Sequence, residues 1–203
     1  LRALLANELM EDPPKTVLLS ASHRQFMEGA FHNEPFRLAC LRSLLETYDF
    51  LTERKEKLDA LLLDWSQNNS DAHLLMTIPG IGNLIAATIL SQVGDIQRFD
   101  CPRKLCSYAG LVPRVYQSGK SHRTGKISKS GRRSLRWAMT MAAFSITRSK
   151  SPLCEFRERL LSRKRPARVV LVACARKLLT IVWHVLKHRR PYKDAKRESL
   201  ARK

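Results

Sequence analysis

The stretch Tyr108–Met139, YAGLVPRVYQSGKSHRTGKISKSGRRSLRWAM, sets the hydroxyls of Ser118, Ser121, Thr124, Ser128 and Ser130 among Arg114, Lys120, Arg123, Lys126, Lys129, Arg132, Arg133 and Arg136. No carboxylate occurs from Cys101 through Cys154. A serine surrounded by guanidinium groups is an arrangement able to attack a phosphodiester, because the cations stabilise the charge on a pentacovalent phosphorus and help lower the hydroxyl pKa. Serines in basic loops also serve simply as hydrogen-bond donors to phosphate, and spacing alone favours that use. Metal-dependent phosphoryl transfer needs clustered acidic ligands. This half of the chain therefore excludes a self-contained two-metal nuclease.

A second pattern precedes it. LLMTIPGIGNLIAATILSQVGD, Leu74–Asp95, reads as helix, then Pro79-Gly80-Ile81-Gly82, then helix, the helix-hairpin-helix pattern. Two glycines open backbone conformations closed to other residues, and the N–H groups that begin the second helix then point outward with the helix dipole behind them. Gly80, Gly82 and Asn83 are the residues nearest a bound phosphate in that reading, and the contact is independent of base sequence. Ile78, Ile81, Leu84, Ile85 and Ile89 are expected to lock the two helices together. The plainer alternative is a turn that only joins two helices.

Charge supports a polyanionic partner. The chain has 203 residues, a formal net charge of +19 and 44% hydrophobic content, enough for a core of ordinary size. Residues 1–100 hold 9 Lys+Arg against 14 Asp+Glu, whereas residues 101–203 hold 28 against 4. Such asymmetry suits a chain whose first half is scaffold or interface and whose second half lies along phosphates, with strongly salt-dependent binding.

The elements that must carry these residues are helical. Leu38, Leu41, Leu44, Leu45, Tyr48, Leu51, Leu58, Leu61 and Leu62 recur at three and four, predicting a long amphipathic helix from Phe36 to Trp65, packed on its own domain or on another chain. The polar run Ser66–Asp71 ends it, with Ser70 or Asp71 capping a helix from Ala72 to Thr77. A helical run from Leu84 to Val93 ends at Gly94. The Gly-, Ser- and Lys-rich span from Phe99 to Ser130 predicts loop with short elements. Helices return over Ser134–Ile146, Leu153–Ser162 and Ala167–Lys187. The expected class is all-α: a helical linker or oligomerisation segment at 1–70, then a domain at 71–203 made of the helix pair at 74–95, the basic serine loop at 108–133 and a helical C-terminus at 134–190.

Remaining residues bound the picture. Cys40, Cys101, Cys106, Cys154 and Cys174 have irregular spacings and no completing His pair, so they read as reduced core thiols. His184 and His188 sit four apart but lack further ligands, and no metal site is expected. In the last helix Val169, Val172, Cys174, Leu178, Ile181, Val182, Val185 and Leu186 form a packing stripe, and Trp137 and Trp183 are expected in the core. Arg176 and Lys177 interrupt the apolar stretch Val169–Leu186, arguing against a membrane span and for a cytoplasmic protein. The opening Leu1 suggests a fragment or a processed chain.

Several of these motifs stand in a telling order: Ile78-Pro79-Gly80-Ile81-Gly82, Tyr108-Ala109-Gly110-Leu111-Val112-Pro113, Gln117-Ser118-Gly119, Gly125-Lys126-Ile127-Ser128-Lys129, Gly131, Leu135-Arg136, Ala173-Cys174-Ala175-Arg176-Lys177-Leu178 and Pro191-Tyr192. The series, over about residues 70 to 192, resembles the C-terminal transposase domain of the insertion-sequence 110/116/902 family. That resemblance implies DNA recombination during transposition of a mobile element, with DNA as partner and a structured guide RNA in some branches. It implies a nucleophilic serine, carried over to Ser118 in the Gln117-Ser118-Gly119 step, with Ser128 as runner-up; Arg114, Lys120 and Arg123 are expected as phosphate clamps from their proximity alone. It also implies an N-terminal RuvC-like domain with an acidic set that holds Mg2+; residues 1–70 contain no such cluster, so no cofactor is expected in this segment and activity of the segment alone is not expected. Acidic site and serine would meet across protomers, making a homo-oligomer through the Phe36–Trp65 helix the expected state. The competing readings are a binding module without chemistry and an inactive remnant.

Overall fold

The computed structural model describes residues 20–118, 121–146 and 151–192, and only the backbone at 115–118, 121–124 and 126. The chain divides into two compact units, Leu1–Ala60 and Leu61–Lys203. The expected all-α class holds: helices dominate, and the described strands form one antiparallel pair.

In the first unit, α1 (Ala21–Ala30) begins at Ser20, whose hydroxyl accepts from the His23 N–H. It packs against the first turns of α2 (Pro35–Gln67) through Met27, Phe31, Leu41 and Leu45. Arg24 grips Asp49 with two hydrogen bonds of 2.7 and 2.6 Å, an exposed pair that fixes register more than it adds stability. The helix predicted over Phe36–Trp65 is thus present and slightly longer.

In the second unit, Asn69 caps α3 (Ser70–Met76) by accepting from the Asp71 and Ala72 N–H groups. Ser70 and Asp71, the expected caps, are already inside the helix and instead receive the Arg189 guanidinium at 3.0 and 3.1 Å. After α4 (Asn83–Val93) and a 3-10 turn at Ile96–Arg98, α5 (Pro102–Tyr108) starts on Pro102, whose fixed φ suits a first helical position. Strands β1 (Pro113–Ser118) and β2 (Ser121–Ile127) follow, then α6 (Arg133–Ile146), α7 (Pro152–Ser162) and α8 (Ala167–His188).

Helix α8 is central and touches α3, α5, α6, α7 and the 3-10 turn. By length and composition it could cross a membrane, but 50% of its apolar window is buried inside this unit. Leu178, Leu179 and Val182 are fully buried, and the Trp183 indole N–H reaches the Phe99 carbonyl at 3.0 Å. Three residues assigned to the core lie outside it: Leu84, Trp137 and Val169 are 57%, 47% and 55% exposed. Helical spacing defines a stripe but not its width, so residues at the margins of a stripe can stand in solvent. The cysteines are free as expected, Cys106 and Cys174 buried, the other three half-buried.

Candidate nucleic-acid interface

The turn between α3 and α4 is built from its two isoleucines. Ile78 and Ile81 are buried at 0% and 5% exposure, and the Ile81 N–H donates to the Ile78 carbonyl at 3.1 Å. Gly80 has φ +86°, and a Cβ there would lie 2.9 Å from the Ala142 carbonyl oxygen and 3.1 Å from the Ile146 nitrogen. Gly80 is therefore required by its backbone and by contact with α6. Gly82 differs from what its spacing suggested: its φ of −100° is open to any residue, and no atom lies within 4 Å of where a Cβ would stand. Gly82 caps α4 without a side-chain bond, so the N–H groups at Asn83 and beyond lack a side-chain acceptor there. Toward the other end of α4, Thr88 and Gln92 with Arg133, Ser134 and Trp137 of α6 line a depression of about 420 Å³.

The basic loop predicted at 108–133 is an antiparallel hairpin. Val115 pairs with Thr124, Tyr116 with Arg123, Gln117 with His122 and Ser118 with Ser121, with a register shift between Pro113 and Val115. Ser118 ends β1, while Arg123 and Lys126 lie in β2; Lys120 lies outside the described residues. Loop was expected because the segment lacks an apolar period, yet backbone pairing closes a ribbon without one.

The hairpin is clamped at its base. Gly110, at φ +67°, faces Gly131 so closely that a Cβ on Gly131 would stand 2.4 Å from the Tyr108 carbonyl oxygen and 2.5 Å from the Gly110 nitrogen. Backbone N–H groups of Ser128, Lys129 and Arg132 donate to the carbonyls of Val112, Gly110 and Tyr108 at 2.8, 3.3 and 3.0 Å. Arg136 donates to the Ala109 carbonyl at 3.0 Å and Arg114 to that of Ser128 at 3.1 Å. Several cations expected on phosphate are thus partly engaged in closing this clamp. Lys129, at φ 55°, and Arg133 are exposed.

One feature was not legible in the residue series. Tyr108 lies between Arg98, 4.7 Å from its ring centre, and Arg132, whose Nε donates to the phenol oxygen at 2.9 Å, while that phenol donates to the Gln92 carbonyl. Burial pushes the phenol pKa up, but hydrogen bonds and charge from Arg98 and Arg132 outweigh it and hold it below the ordinary tyrosine value. Arg98 stands outside the basic run, in an acidic context, and only the fold brings it here. Among the described residues no group of three or more His, Cys, Asp or Glu is placed to hold a metal. His184 and His188 stack on each other at 5.8 Å beside Trp183.

Fold and site together define a small helical domain that carries a basic β-hairpin on a glycine clamp. Residues 72–158 match the Transposase IS116/IS110/IS902 family. The chain is 35% identical over 146 residues to the "Pilin gene-inverting protein" of Moraxella bovis, covering 71% of this chain and 45% of that protein. It is 30% identical over 156 residues to a "Probable family 20 transposase" of Pseudomonas aeruginosa, 75% of this chain and 46% of that one. It is 31% identical over 160 residues to the "Transposase for insertion sequence element IS1111A" of Coxiella burnetii, 77% and 43% respectively. The matched segment is therefore similar to that transposase family. The chain spans a little under half the length of these curated relatives.

Proposed function

We propose that this chain is the DNA-handling and serine-bearing segment of a transposase that recombines an insertion sequence, acting in the cytoplasm on DNA and on a structured guide RNA. The observation that carries the reading is the carboxylate-free basic hairpin Pro113–Ile127, held on a rigid base within the segment that matches a transposase family. The turn before α4 acts as a helix-hairpin-helix: Gly82 and Asn83 offer backbone N–H groups to a phosphate. Ser118 is the nucleophile and Ser128 the runner-up. The Ser118 Oγ attacks phosphorus, the bond from phosphorus to one sugar oxygen breaks, and that oxygen takes the proton the serine gives up. Arg114, Lys120, Arg123 and Lys126 offset the charge of the transition state.

The acidic set implied for magnesium finds no counterpart among the described residues. In a complete protein, magnesium held by a RuvC-like domain would supply Lewis-acid stabilisation of phosphate oxygens. Assembly of two such chains through α2 would bring that domain to the serine. Leu44, Tyr48, Leu51 and Leu58 are exposed on α2 at 45%, 44%, 59% and 65%, and Leu44, Leu51 and Leu58 recur every seven residues, the period of a coiled-coil seam.

The test uses the complete protein with its element's DNA and RNA, comparing wild type, Ser118→Ala and Ser128→Ala for a protein–DNA adduct that survives denaturation. Loss of the adduct with Ser118→Ala alone supports the serine mechanism. Cleavage without any adduct overturns it and leaves a nucleic-acid-binding module.

A further inference from the structure

A groove of about 1160 Å³ runs between the hairpin base and one face of α8. Its floor is apolar, made by Leu111, Ile127, Val169 and Val172, with Phe156 of α7 at one side. Lys129 stands at the hairpin wall, while Arg168, Arg176 and Lys177 stand along α8. Among the described residues no carboxylate lines it. The α8 positions 169, 172, 176 and 180 follow the helical period, so they form one continuous stripe of the central helix. The volume exceeds the roughly 300–1,000 Å³ of ordinary small-molecule sites.

We propose that this groove holds a short run of unpaired nucleotides, with phosphates on the cations of both walls and base faces on the apolar floor. Charge complementarity selects the occupant. Cations on opposing walls with no acid between them form a rail for a polyanionic backbone, and an apolar floor between rails is what separates a strand with free base faces from a duplex whose bases are stacked inside. Lys177 lies 4.4 Å above the Phe156 ring, which holds that ammonium at the groove edge. Arg168, Lys177 and Val169 are exposed, and none of the three is needed to bury the core. The proposal rests on the nucleic-acid reading above but uses other residues, since the phosphate contacts assigned there lie on the α4 turn and the hairpin strands.

The test measures fluorescence anisotropy of the 203-residue chain with a labelled oligothymidylate of about 12 nucleotides and with a duplex of equal length. The Arg168→Ala/Lys177→Ala variant should bind the single strand about tenfold more weakly, with the slope of log K against log salt reduced by about 1.4, since each phosphate contact to a single strand contributes about 0.7. Val169→Asp should weaken the single strand similarly, and both variants should hold the duplex within about twofold, a difference far below that of one lost stacked base. Unchanged single-strand affinity, or equal loss on strand and duplex, overturns the proposal. So does a change in oligomeric state with unaltered strand affinity, for the groove would then hold an acidic segment of a second copy. Duplex binding that persists while the single-strand arm fails sinks only this inference and leaves the transposase reading standing.

Discussion

Replacing Gly131 by alanine should loosen the hairpin from the helical domain. The new methyl would stand 2.4 Å from the Tyr108 carbonyl oxygen, 2.5 Å from the Gly110 nitrogen and 2.8 Å from the Ala109 carbonyl carbon. All three are backbone atoms, so no side chain can swing away. Ordinary contact begins at 3.4 Å, which demands a shift of 1.0 Å between the two segments. That shift breaks the Arg132 N–H bond to Tyr108 and the Lys129 N–H bond to Gly110. Each contributes about 1 kcal/mol net, and forced overpacking adds about 1–3 kcal/mol. Alanine restricts the unfolded chain and returns about 0.4–1 kcal/mol. The net loss is about 3 kcal/mol, or roughly 6–12 °C in melting midpoint for a unit of this size. Differential scanning calorimetry of the 203-residue chain measures it, with Gly29→Ala as control because no atom lies within 4 Å of that position. A Gly131→Ala midpoint within about 2 °C of wild type would refute the clamp.

Three further outcomes follow from the same structure. Gly82→Ala should cost less than about 1 kcal/mol of stability, since its backbone is ordinary and its surroundings open, yet weaken duplex binding several-fold by placing a methyl before the α4 N–H groups; intact binding in a filter or anisotropy assay would contradict a phosphate contact there. Burial pushes the Cys106 and Cys174 thiols above their ordinary pKa, so a thiol reagent at about pH 8 should label Cys40, Cys101 and Cys154 first, and equal labelling of all five by mass spectrometry would contradict the core described. Leu51→Glu with Leu58→Glu should turn a dimer into a monomer by light scattering, and a wild-type monomer at high concentration would remove α2 as an assembly helix.

The helices were legible because their signals are local. Apolar spacing placed α2, α4, α6, α7 and α8 to within a residue or two, and Gly94 ends α4 where expected. Cap identity was less so: Asn69, Ser70 and Asp71 are all capable side chains, and only the first turn of the real helix selects Asn69. The hairpin was missed because PRVYQS and SHRTGKI cover no apolar face that periodicity could detect. Their partnership rests on a close approach of Gly110 and Gly131, 21 positions apart, which no local pattern reports. The exposure of Trp137 and Leu84 depends likewise on where α4 and α6 meet.

The cations show why charge alone overstates an interface. By sequence, eight Lys and Arg residues from Arg114 to Arg136 are equivalent donors to phosphate. In the fold, Arg114, Arg132 and Arg136 give hydrogen bonds to the Ser128 carbonyl, the Tyr108 phenol and the Ala109 carbonyl, so part of their capacity goes to shaping the hairpin base. A carbonyl partner leaves the charge intact, however, and an arginine has five N–H donors. These residues therefore keep their field while losing freedom, which lowers the entropy a phosphate contact would have to overcome. Salt dependence and affinity should then separate. Arg136→Lys preserves the charge and hence the salt slope, but it gives up the planar fork that reaches Ala109. Its effect should fall on the melting midpoint and on affinity at fixed salt, with the slope of log K against log salt unchanged. A reduced slope for Arg136→Lys would mean that the residue meets phosphate directly, and that the clamp and the interface are one surface.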